Sequence, residues 1–177
     1  SRLEKIKDDV KRLDDDSRRT LEEVHRRNKE TARRVERLLE EAHRLNKKTV
    51  DEARSKPNDE DVARRLREIV KESLKLSKDV LKEIKDILDK SLKDSEDVVR
   101  LNEDILRKIE RTVDSVERSD EIRKIKTDVK EMVKKNREDV KRNNEDVKRV
   151  EDKLRKELKK NDDDVRRVLE ELERRLR

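Results

Sequence analysis

Apolar and small polar residues recur along the chain in steps of 3, 4, 3, 4 and 4, after which the cycle begins again. In the C-terminal third, Ile122, Val140, Leu158 and Leu176 are equivalent, as are Val129, Val147 and Val165. These steps average about 3.6, the pitch of a straight α-helix. A heptad pattern would wind the helices left-handed and an 11-residue pattern right-handed, so nearly straight helices are expected. The first third obeys the same cycle through Leu3, Ile6, Val10, Leu13, Leu21, Val24, Val35 and Leu39. The middle third repeats it at Val62, Val80, Val98 and Val116, and again at Ile69, Ile87 and Ile105. Its stripe is wider, with a second row through Val70, Leu74, Leu81, Leu88, Leu92 and Val99.

Two interruptions divide the pattern. The segment Ser55–Asp59 holds the only proline, Pro57, which lacks an N–H and restricts the residue before it. Asn58 or Asp59 then caps the next helix, with Glu60 and Asp61 in its dipole-favoured first turn. The second break, around Ser119, places a candidate N-cap before Asp120 and Glu121. Helices are predicted at about 2–54, 59–117 and 120–176. The fold class is all-α: an elongated antiparallel three-helix bundle with nearly straight helices, one domain over residues 1–177.

The polar residues on the stripe make the fold-back testable. If the first two helices are antiparallel, facing residues have a constant number sum. His25 with Ser91 and His43 with Ser73 both add to 116. Between the second and third helices, Ser95 with Asn143, Ser77 with Asn161 and Asn102 with Asn136 all add to 238. These ten residues are the predicted buried polar network. A helix continuous through Ser119 would leave these coincidences unexplained and their polar atoms without partners, at ~1–3 kcal/mol each. Unpaired registers are thereby penalised, which matters because a straight repeat translates onto itself at every full cycle. The repeated blocks His25–Thr31 and His43–Thr49 also carry Asn28, Thr31, Asn46 and Thr49, for which this register offers only apolar mirrors near Leu88 and Val70.

Composition agrees. Of 177 residues, 58% are charged and 28% hydrophobic, with a net charge of only +6. High charge with low hydrophobicity is the usual signature of disorder, but the signs are interspersed and the apolar positions strictly periodic. The first and last thirds are net basic and the middle third net acidic, which suits a middle helix that touches both others. Glycine is absent, which argues against hairpins and phosphate-cradling loops that need positive φ. Cysteine is absent, so there is no disulfide framework. No apolar window is long enough to span a membrane, and no signal-peptide core is visible.

Candidate chemistry is sparse. Glu22 and His25, and Glu40 and His43, have the carboxylate–histidine spacing of di-iron bundles. Both pairs lie on one helix, one full cycle or ~27 Å apart, and no other helix has a histidine. Structural histidines at the edge of the stripe are the expected reading. Ser91 opposite His25 lacks a third orienting group and an oxyanion loop, so no hydrolase is expected. The basic balance carries no aromatic stacking platforms and no one-sided patch, so no nucleic-acid partner is expected.

The 18-residue cycles, the short loop SKPNDED at Ser55–Asp61, and the blocks HRRNKET and HRLNKKT resemble de novo designed helical bundles with buried hydrogen-bond networks. The helix-favouring surface is of the kind design heuristics prescribe. That resemblance implies a scaffold with no catalytic residue, cofactor, metal, small molecule, nucleic acid or membrane to bind, and no required partner. It also implies an alternative, a module that pairs with another helical chain or with itself as a heterodimer, cage-and-latch component or homo-oligomer. The middle helix, with the widest apolar stripe, favours that second class.

Overall fold

A computed structural model describes residues 2–56, 59–115 and 120–175, with the side chains of all of these but 112–115. It contains three helices: α1 (Arg2–Ser55), α2 (Glu60–Ser115) and α3 (Asp120–Arg175). No described residue is in a strand, and none has positive φ, consistent with a chain free of glycine. The protein is an all-α three-helix bundle.

Asp59 starts α2. Its carboxylate accepts the backbone N–H groups of Asp61 at 3.0 Å and Val62 at 3.3 Å. These donors have no partner within the helix, so the cap contributes ~0.5–2 kcal/mol. α1 ends without glycine: the Ser55 hydroxyl donates to the Glu52 carbonyl at 2.9 Å, and Lys56 N–H to the same carbonyl at 3.3 Å. The other candidate cap, Asn58, lies outside the described residues, as do Ser119, Val116 and Leu176.

Packing resolves into two compact units. The first comprises Ser1–Lys29 and Leu88–Lys148; the second comprises Glu30–Ile87 and Arg149–Arg177. Each draws a segment from all three helices.

In the first unit, α1 and α2 are antiparallel: Asp9 meets Lys108 and Arg27 meets Asp94. α2 and α3 are antiparallel too, since Asn102 meets Asn136 and Glu103 meets Arg137. The fold-back predicted between them is therefore present. One core cluster holds buried Ile109, Val129 and Val133, packed by Ile6, Val10, Ile105, Leu106, Ile125 and Met132. A second holds Leu21, Val98 and Val140 with Val99 against them.

In the second unit, Arg34 meets Glu83 and Glu52 meets Arg65, again antiparallel. Arg67 meets Glu173 between α2 and α3, while Glu36 meets Lys153 between α1 and α3. The core cluster is Ala53, Val62, Leu66 and Leu172, with Ile69 and Val168 packed against it. Leu66, Ile84 and Leu154 are fully buried. Each such side chain contributes ~1.5–3 kcal/mol by leaving water. The bridging ion pairs are mostly solvent-exposed and individually worth ~0–1 kcal/mol.

Candidate functional site

The polar side chains inside the bundle are the candidate site. In the first unit they form a layer across all three helices. The Asn136 amide donates to Asn102 Oδ1 at 2.8 Å. Asn102 Nδ2 donates to Ser17 Oγ at 2.9 Å and to the Val98 carbonyl at 2.7 Å. All three side chains are buried. Asparagine suits the central position because its amide offers two donors and an acceptor in one plane. Asn102 and Asn136 are a pair nominated by the stripe pattern; Ser17 is not.

Ser17 corrects the register between α1 and α2. Its number and that of Asn102 add to 119, not 116. The three-residue difference is close to one helical turn, so it keeps the same faces inward but changes which residues lie level. The same sum would set Ser91 opposite Asn28 and Ser73 opposite Asn46, but the Asn28 amide, the Ser91 hydroxyl and Asn46 Oδ1 have no hydrogen-bond partner. The histidine–serine pairs are therefore not formed: His25 and His43 are exposed, Ser91 is buried, and Ser73 is half-buried. His43 instead lies 3.5 Å from Glu157 at the surface. The signal is present in the sequence, since Ser17 with Asn102, Asn28 with Ser91 and Asn46 with Ser73 all share the sum 119. Thr49 satisfies itself by donating to the Leu45 carbonyl at 2.8 Å.

The remaining pairs divide. Ser77 is buried, but its hydroxyl donates to Asp162 Oδ1 at 3.1 Å rather than to Asn161. Asn161 is buried with its Oδ1 unpaired. Ser95 and Asn143 are both buried, yet the Ser95 hydroxyl has no partner. Asn28, Ser91 and Asn144 in the first unit, and Asn46 in the second, also keep buried polar atoms unpaired. Burial pushes the Asp162 carboxyl above its ordinary pKa; the Ser77 hydrogen bond and Arg166 pull it down, and Asp163 pushes it up.

A groove of about 430 Å³ opens between α1 and α3 of the first unit, with Leu21, Glu22, His25, Asn136, Arg142 and Asn143 in its wall. Acidic and basic groups alternate around it, so it presents no charge of one sign to a ligand. No group of three metal-ligating side chains occurs among the described residues, and no helix formed by them is long and apolar enough to cross a membrane. Comparison of the chain with protein families, curated proteins and solved structures returns no match.

Proposed function

We propose that the chain is a structural scaffold of de novo design, a self-contained bundle whose buried polar layers select one register. It has no enzymatic role, cofactor or required partner. The Ser17–Asn102–Asn136 layer carries this reading. Sliding α2 by one full cycle of the repeat would bring Ile84 to the place of Asn102. Ser17 and Asn136 would then lose their partners, at ~1–3 kcal/mol for each buried group. A purely apolar repeat would resist such a slide far less.

The test is the triple variant S17V/N102I/N136L, which copies Val35, Ile84 and Leu154, the residues one cycle along each helix. Replacing all partners of a buried network together is neutral or stabilising. The melt is expected to rise or hold, while the amide NMR spectrum splits into more than one set of signals. A single sharp set with unchanged interhelical contacts would refute the role in register. Circular dichroism at high dilution checks that the fold is self-contained: helicity is expected to persist, and its loss would refute that part.

A further inference from the structure

The large apolar side chains left exposed among the described residues are Leu45, Leu76 and Leu101. Leu45 and Leu76 are 43% and 60% exposed, and both belong to one seam of the second unit. Two ion pairs cross that seam from α1 to α2: Arg34 to Glu83 at 2.6 Å, and Glu52 to Arg65 at 2.5 Å. Leu45 stands two helical turns before Glu52, and Leu76 two turns before Glu83. Each leucine therefore lies on the side of its helix that carries the bridges. Half-buried Leu38 and Ile69, a further two turns back, extend the strip on both helices.

The fold does not require leucine there. The equivalent positions, one cycle away in the first unit, are Arg27 and Asp94, which form an ion pair at 2.9 Å. Two leucines at a site that accepts a charge pair place apolar surface in water for no gain to the unit. Contiguous exposed apolar surface with a polar rim is the usual mark of an interaction site.

The rim identifies the occupant. On α1 the exposed residues beside the strip are Arg37, Arg44 and Lys48, with Glu41 as the exception. On α2 they are Glu68, Glu72 and Asp79, with Lys75 as the exception and Arg65 already neutralised by Glu52. One rim is basic and the other acidic. A lone helix of either charge would meet one rim favourably and oppose the other. A second copy turned about a two-fold axis parallel to the helices lays its α1 over this α2 and its α2 over this α1. Both rims are then matched, and the leucines meet at the centre. A two-fold axis across the helices would set basic on basic.

We propose that this seam docks a second copy of the chain as a two-fold dimer. The inference rests on the reading of a self-contained fold, because the seam exists only on a folded bundle. Sedimentation equilibrium of the full chain across concentration tests it. The mass is expected to climb from one chain toward two, and L45R/L76D, which copies the Arg27–Asp94 pair, to weaken association by ~10-fold or more. R37E/R44E/K48E and E68K/E72K/D79K are each expected to stay monomeric alone and to associate when mixed. A single-chain mass at every concentration, a dimer untouched by L45R/L76D, or no rescue on mixing would each overturn the dimer. Helicity of dilute L45R/L76D reports on the fold separately from the dimer.

Discussion

The two units place different chemistry on the same repeat. In the first, Ser17, Asn102 and Asn136 form a hydrogen-bonded layer. One cycle along each helix, the second unit has Val35, Ile84 and Leu154, exposed by 1%, 0% and 0%. The next cycle gives Ala53, Leu66 and Leu172, three members of one core cluster. The same exchange occurs at two other places. Ser77 bonds Asp162 in the second unit, whereas the equivalent Ser95 and Asn144 of the first keep buried oxygens unpaired. The Arg27–Asp94 ion pair of the first becomes Leu45 and Leu76 in the second. One backbone period therefore accommodates polar, apolar and charged contents.

Exchanging residues between the units sharpens that contrast. The largest effect is expected for Ile84→Asn, which puts the amide of Asn102 into an apolar layer without its partners. Lost apolar burial of ~2–3 kcal/mol and an unpaired buried amide of ~1–3 kcal/mol together predict a loss of ~3–6 kcal/mol in urea unfolding. A loss below ~1 kcal/mol would mean that the two layers are not the distinct environments their side chains indicate.

Next comes Asn102→Ala, which strands the Ser17 hydroxyl and the Asn136 amide in the first unit. A loss of ~2–4 kcal/mol is expected, in contrast to the neutral or stabilising triple replacement. Equal losses from the single and triple variants would break the contrast.

A smaller effect follows at Asp162. Burial raises its folded pKa above the unfolded value, so the folded state takes up this proton first as pH falls. This group's contribution to stability is then greatest below the unfolded pKa of ~3.9 and declines as pH rises through the folded pKa. Asp162→Asn is expected to remove that decline from the thermal midpoint, and Asn144→Asp to introduce one at Ser95. Coincident pH profiles for the parent and Asp162→Asn would refute it.

The smallest change in stability is expected for R27L/D94L, which copies the leucine seam into the first unit. These side chains are 21% and 28% exposed, and a partly exposed pair of this kind is worth ~1 kcal/mol or less. Chemical denaturation should therefore move little, while sedimentation should show tighter self-association. Strong destabilisation would show that the ion pair is structural.

Much of the arrangement is legible in the sequence, and the failures have physical causes that differ between the two helix pairs. The helix positions and the α2–α3 sum of 238 follow from the stripe, and Asn102 does reach Asn136. Between α1 and α2 the stripe allows any register that differs by about one turn, because such a shift restores the same faces. The histidines point to the wrong choice among these. An imidazole at the edge of a stripe reads as an inward polar group, yet His25 and His43 are exposed. Three polar pairs on the sum 119 outweigh two on 116, a distinction visible without coordinates. Asp162 is harder to anticipate. A charged residue next to Asn161 reads as surface, and its bond to Ser77 depends on a rotation about the helix of less than a third of a turn.

Helical pitch and buried faces can be read from one-dimensional periodicity because a helix closes its hydrogen bonds locally, one turn apart, and hydrophobic burial scales with area whatever the partner. The pairing of individual oxygens and nitrogens cannot be read that way. A hydrogen bond demands ~3 Å and a favourable angle, and a turn of register or one rotamer destroys it. Thus the three helices and their inward stripes are already encoded in spacing, whereas Ser17 beside Asn102, Asp162 beside Ser77 and an unpaired Ser95 emerge from packing in space.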